Sequence, residues 1–127
     1  MNPASLLPSP GSHFISLNQA ISMTSLFRSQ KENILAPSFQ NLGILPICET
    51  FSRYDVDSLL TKQSCEALRV YLGMDEENNV RLLIVAVNEK GEDILPVLSF
   101  GNTVDEDIVE EGHRCPPSCP PSSPLNT

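Results

Sequence analysis

The chain has 127 residues, 40% of them hydrophobic and 6% aromatic, with 11 prolines, four cysteines, no tryptophan and a formal charge of −8. That length supports one domain with one core, large enough to fold without staples, so the cysteines are not required for stability. The acidic balance argues against nucleic acid and against an anionic membrane face, because the phosphate contribution that dominates such affinity is repulsive here.

In chain order, residues 1–14 carry Pro3, Pro8 and Pro10 among polar and small side chains. Proline removes a backbone donor and fixes φ, so this stretch is expected to be an extended or mobile tail. Ser16-Leu17-Asn18-Gln19 has the form of a capping box, with Ile15 and Ala20 at staple spacing, and predicts a helix over 17–33. Leu17, Ala20, Ile21, Thr24 and Phe27 fall on one face, widened by Met23 and Leu26, and that amphipathic stripe is expected to face the core. Pro37 closes the segment.

Residues 36–50 read as a buried linker or short edge strand ending at Cys48. Ser52 is a second cap, with Phe51 and Val56 at staple spacing, and predicts a short helix over 53–62 that buries Val56, Leu59 and Leu60. From Ala67 the period becomes two: Leu68, Val70, Leu72 and Met74 alternate with Ala67, Arg69, Tyr71 and Gly73, the pattern of a strand with one buried face. Residues 75–79 form a polar turn, and the continuous run from Val80 to Val87 predicts a central strand covered on both sides. Residues 93–100 are expected to return as a third strand, confined to an edge or a bulge by Pro96. Thr103-Val104-Asp105-Glu106 opens either a short acidic helix over 104–111 or a loop. The fold class is α+β: a small antiparallel meander of about three strands with the amphipathic N-terminal helix and the second short helix packed on it. The domain spans 15–114, and 115–127 is a Cys/Pro-rich extended tail.

Charge is segregated. Residues 1–74 are neutral, whereas residues 75–111 hold eleven acidic side chains against Arg81 and Lys90. There is no apolar run of 18 residues, so no membrane span is expected. No basic residue precedes Arg28, and Pro8 and Pro10 interrupt the stretch where a signal peptide needs an apolar run. The default expectation is the cytoplasm, where cysteines stay reduced, although signal-independent export lies outside this argument.

The most distinctive stretch is Cys115-Pro116-Pro117-Ser118-Cys119-Pro120-Pro121. Cys115 and Cys119 have the spacing of a zinc ligand pair that Cys48 and Cys65 would complete to four thiolates. The proline flanks, however, lack the donors that usually bond to metal-bound sulfur. The alternatives are structural: Cys65, and Cys48 beside Ile47, as small core residues, and Cys115 with Cys119 as a disulfide in an oxidising compartment. A thiol nucleophile would need a neighbouring histidine, and His113 lies two residues from Cys115 on a tail that looks too mobile to hold it. The acidic stretches 75–79 and 105–111 could bind a divalent ion, but each reads more simply as solvated surface. No phosphate loop, nucleophile elbow or His-Glu-x-x-His is present, and His13 and His113 are the only histidines.

Ile47-Cys48-Glu49-Thr50-Phe51, the strand from Ala67 to Asp75, and the ending Cys115-Pro116-Pro117-Ser118-Cys119-Pro120-Pro121 with Ser123-Pro124-Leu125-Asn126 together resemble a group of short uncharacterised bacterial proteins with this layout. The resemblance covers residues 16–126 and implies no activity, ligand or catalytic residue.

The sequence therefore points to a non-enzymatic interaction or self-assembly subunit. It would bind a protein partner or another copy through an exposed sheet edge near 93–100 and through Cys115, Pro116, Pro117, Cys119, Pro120 and Pro121, a segment with little entropy left to lose on docking. The alternative is a cysteine-based zinc or redox protein using Cys48, Cys65, Cys115 and Cys119. The third reading is an enzyme of unrecognised type. No other cofactor is expected.

Overall fold

The run of residues 80–87, apolar except for Arg81, is the strand around which the chain is built. In the computed structural model, which describes residues 7–11, 13–96 and 108–127, the elements are α1 (Leu17–Gln30), a 3-10 turn (Pro37–Phe39), β1 (Cys48–Thr50), α2 (Arg53–Leu60), β2 (Ala67–Met74), β3 (Val80–Val87), β4 (Ile108–Val109) and β5 (His113–Cys115). The fold is α+β. A three-stranded antiparallel meander in the order β2-β3-β4 lies beside a two-stranded antiparallel ribbon, β1-β5.

β3 is covered on both faces, as a run with no polar alternation requires. Ile84 and Ala86 are buried on one face and Val85 and Val87 on the other. Leu59 of α2, fully buried, packs with Ile84, Ala86 and Val109, and Phe51, Cys65 and Ile94 close around them. β2 pairs with β3 along its whole length, Ala67 opposite Val87 and Met74 opposite Val80. Asp75 shapes the turn between them: its Oδ1 accepts from the backbone of Glu77 and Asn79, both at 2.9 Å. Asn78, at φ 66°, takes the left-handed position that asparagine tolerates.

Three expectations are corrected. The third strand is β4, with Val109 opposite Ile84 and Ile108 opposite Val85. Residues 93–96 contribute only a single bridge from Asp93 to Val87 and a bond from the Ile94 amide to Ala86 O. The remainder of the expected strand, 97–100, and of the alternative helix, 104–107, lies outside the described residues. Second, α1 has the expected capping box, Ser16 Oγ accepting from Gln19 N at 3.1 Å and Gln19 Oε1 from Ser16 N at 2.9 Å. It nevertheless buries no residue: Ala20, Ile21 and Thr24 are half-buried, while Leu17, Met23 and Leu26 are 60 to 64% exposed. Third, Leu60 of α2 is half-exposed.

The flank of β3 away from β2 extends beyond the two-residue β4, and a buried strand must still satisfy its backbone groups there. Val80 N–H donates to Ile44 O at 2.8 Å. Leu82 N–H donates to Glu49 Oε1 at 3.1 Å, and Val80 O accepts from Arg114 Nε at 3.0 Å. Arg114 Nη2 also donates to the carbonyls of Gly43 and Ile44, both at 3.0 Å. The Glu49 and Arg114 side chains are 0% and 7% exposed and approach each other to 4.0 Å. Gly112 fits against them for want of a side chain, because a Cβ there would lie 2.7 Å from Glu49 Oε2 and 2.8 Å from the Phe51 ring.

On the face of β2 opposite α2, Asp93 fixes the return segment. It accepts from Arg69 Nη1 at 2.5 Å and from the Tyr71 hydroxyl, and Arg69 Nη1 also donates to Gly91 O at 3.1 Å. The Tyr71 hydroxyl first, and the Arg69 guanidinium after it, hold the Asp93 carboxyl below the ordinary carboxylate value.

Two predictions follow from these contacts. Arg114→Met strands a buried carboxylate and is expected to cost about 3–5 kcal/mol in urea unfolding. Adding Glu49→Gln removes the stranded charge, so the double variant should recover at least about 1 kcal/mol relative to additivity; strictly additive effects would show that the two charges are not coupled. Asp93 has a depressed folded pKa, so its contribution is present above the unfolded value of about 4 and is lost as pH falls through the lower folded value. The stability difference between wild type and Asp93→Asn should therefore be full at pH 7 and shrink below about pH 4, and a difference unchanged at pH 3 contradicts the assignment.

Candidate functional site

Two features stand out among the described residues: the outer surface of β2 and the cysteines at the β1-β5 ribbon. On β2, the alternating side chains expected to be buried are largely in solvent, with Leu68 37%, Val70 54%, Leu72 76% and Met74 62% exposed. The reason is dimensional. An eight-residue helix is about 12 Å long, whereas eight strand residues span about 26 Å. α2 therefore seats Leu59 over β3 and β4 and leaves most of the edge strand bare. No strand among the described residues pairs with the outer edge of β2. Beside Met74, the side chains of Leu35, Phe39, Ile44 and Asn78 enclose an apolar hollow of about 190 Å³.

The ribbon sets Cys48 opposite Cys115, Glu49 opposite Arg114 and Thr50 opposite His113. Alternation along each strand then separates two faces: Glu49 and Arg114 on the inner one, Cys48, Thr50, His113 and Cys115 on the other. Ile47 N–H donates to Cys115 O at 2.8 Å and extends the pairing. Cys115, expected to begin the tail, is the last residue of β5 and is 2% exposed. It is disulfide-bonded to Cys119, which is exposed. Cys48 and Cys65 are free thiols, each half-buried. Of the four cysteines proposed as zinc ligands, the structure sets Cys48 opposite Cys115 in the ribbon and bonds Cys115 to Cys119. Cys65 sits apart against the α2 core, its thiol donating to Ala67 O at 3.4 Å. With two sulfurs bonded to each other, a four-thiolate site is not assembled, and no group of three or more His, Cys, Asp or Glu side chains among the described residues converges on a metal position.

The segment after the disulfide is anchored to α1. Arg28, in the last turn of α1, donates to Leu125 O at 2.6 Å and to Thr127 O at 3.0 Å. Asn126 folds the segment on itself, accepting from Ser123 N at 2.9 Å and donating to Pro121 O at 3.1 Å. The proline positions 116, 117, 120 and 121 are exposed. The prolines could be read from the sequence; the anchor, a guanidinium taking two carbonyls nearly a hundred residues away, has no local signal.

The remaining polar groups are structural in geometry. Asp75 is held below the ordinary carboxylate value, first by the Asn79 backbone and also by that of Glu77, which makes it a turn residue. Tyr71 is raised by its bond to Asp93, so phenol and carboxylate both stay in their resting forms at neutral pH and neither is poised to pass a proton. An open cleft of about 370 Å³ lined by Ser64, Glu66, Asn88, Glu89 and Lys90 is a polar groove between two loops. No helix among the described residues is long and apolar enough to cross a membrane. The sequence signals missed Glu49 and Arg114 as a pair, although a glutamate between Ile47 and Phe51 is conspicuous in an apolar stretch.

No family model, no curated protein and no solved structure matches the chain.

Proposed function

We propose that the protein is a non-enzymatic self-assembly subunit in which the outer edge of β2 pairs with the same edge of a second copy. The observation that carries this reading is the eight-residue edge with four apolar side chains exposed on one face. Long, apolar, unpaired edges are the surfaces that isolated domains blunt with lysine, proline or a bulge. β2 has none of these: its single charge, Arg69, is engaged by Asp93. The sequence is also self-complementary under a two-fold axis. Antiparallel pairing centred on Tyr71 sets Leu68 against Met74 and Val70 against Leu72 on one face, and Arg69 against Gly73 on the other. No carboxylate lies within β2 itself, so the eight paired positions carry none, and like charges meet only beyond the strand ends, where Glu66 would face Glu76.

This moves the interaction surface from the expected edge at 93–100 to β2. It also limits the part left to the cysteine–proline segment. Removing residues from 115 onward would take away a buried strand residue, so 120–127 is the portion that can be deleted without touching β5 or the Cys115–Cys119 disulfide.

Leu72→Lys places a charge at the most exposed apolar position of the edge and should weaken association at least tenfold, read as a shift from the dimer mass to the single-chain mass in light scattering. Deletion of 120–127 should leave the mass unchanged. A wild-type protein that runs at the single-chain mass at all concentrations, or a Leu72→Lys variant that associates as wild type does, would overturn the reading.

A further inference from the structure

The sulfur arrangement of the ribbon carries an inference independent of assembly. Residues directly opposed in an antiparallel pair have Cα atoms about 4.5–5.5 Å apart and side chains on one face. A disulfide needs Cα atoms about 4.4–6.8 Å apart. Cys48 and Cys115 are such an opposed pair, so the ribbon register that exists already meets the Cα spacing that a bond between them requires. Cys115 instead bonds Cys119, four residues on, with a Cα separation of 4.4 Å. Cys115 thus has a bonded partner four residues on and a free thiol opposite it in the register, and three cysteines share one disulfide and one thiol.

We infer that Cys48, Cys115 and Cys119 form a three-sulfur relay, in which the Cys48 thiolate attacks Cys115 Sγ and displaces Cys119. The Cys48–Cys115 bond forms as the Cys115–Cys119 bond breaks. The electron pair of the broken bond leaves on Cys119 Sγ, which takes up a proton, and the proton of Cys48 goes to solvent or to an adjacent base. Disulfide count and oxidation state are unchanged, so no external oxidant or reductant is required. His113 lies on the same ribbon face, diagonal to Cys48 in the register, and is the imidazole to which we assign that proton.

Exposure gives the three sulfurs different roles. Cys115 is buried at the centre and is shielded from thiols in solution, whereas Cys119 is exposed. The relay converts a half-buried thiol into an exposed one and at the same time moves the cross-link from a loop of the chain to a tie between β1 and β5. The released Cys119 thiol is open to exchange with a thiol or disulfide of another molecule. Cys65, packed against the α2 core, takes no part.

Tryptic digestion separates the relevant species: Cys48 falls in peptide 32–53, Cys65 in 63–69, and Cys115 with Cys119 in 115–127. The full chain, purified without reductant and equilibrated at mildly alkaline pH, would be trapped with N-ethylmaleimide before digestion and mass mapping. The expected result is two populations: an internal disulfide in 115–127 with label on Cys48, and 32–53 linked to 115–127 with label on Cys119. Cys48→Ser should lower Cys119 labelling at least tenfold, Cys65→Ser should change nothing, and Cys119→Ser oxidised in air should give the 32–53 to 115–127 link alone. His113→Ala should slow the approach to the final ratio after a jump from acid pH, where exchange is arrested, to mildly alkaline pH, without altering that ratio, and equal rates would remove His113 from the relay. Wild-type Cys119 labelled no more than in Cys48→Ser overturns the inference. So does a link that appears in Cys119→Ser but never in wild type, since that shows proximity without exchange. Should Cys48→Ser fold poorly, the wild-type labelling and the Cys119→Ser link still decide between these outcomes.

Discussion

The flank of β3 that faces away from β2 is covered piecewise, and the pieces come from four places in the chain. Ile44 supplies an acceptor for Val80 N–H, Glu49 an acceptor for Leu82 N–H, Arg114 a donor for Val80 O, and only then does β4 take over opposite Ile84 and Val85. A central strand buried on both faces cannot leave these groups empty, since an unpaired buried amide or carbonyl costs about 1–3 kcal/mol. Side chains do here what a longer fourth strand would do elsewhere. The cost is a buried carboxylate and a buried guanidinium, which persist because each bonds to backbone as well as facing the other.

That arrangement explains why the small ribbon exists at all. Two strands of three residues have almost no stability of their own. β1 and β5 are held because Glu49 and Arg114, opposed in register, both reach inward to β3. Gly112 lets the chain pass close enough to do so, and its carbonyl accepts from Arg81 of the same strand. The meander and ribbon are therefore one unit joined by side-chain bonds, with α2 covering the middle and α1 attached at the side through Arg28 and through Lys31, which donates to Leu45 O at 3.0 Å.

What could be read in the sequence was what depends on neighbours along the chain. The capping box at Ser16, the cap at Ser52, the eight residues of β2 and the continuous apolar run of β3 all follow from periodicity and local hydrogen bonding, and all are present. What failed depends on which surface meets which. The stripe of α1 and the alternation of β2 both have the pattern of buried faces, yet pattern records only that a side chain is apolar, not that an element exists to cover it. β4 has two residues and no recognisable period. The Cys115–Cys119 disulfide stood among the alternatives that cysteine spacing allowed, but the anchoring of the proline segment was beyond reach for a different reason: a proline excess predicts the loss of regular structure, and an irregular segment tied by Arg28 satisfies that prediction as well as a free one does.

The cysteine cluster is a consequence of the same buried pair. Strand alternation gives Arg114 and its neighbours opposite directions, so turning Arg114 inward onto Val80, Gly43 and Ile44 turns His113 and Cys115 to the other face. Glu49 does the same for Cys48 and Thr50 on the facing strand. The register that satisfies β3 is thus also the register that sets a free thiol opposite a disulfide sulfur, and a slip of one residue would both unseat the charges and separate the sulfurs. Chemistry at the ribbon therefore does not need a dedicated scaffold. A constraint imposed by the backbone of the central strand already fixes where the sulfurs stand.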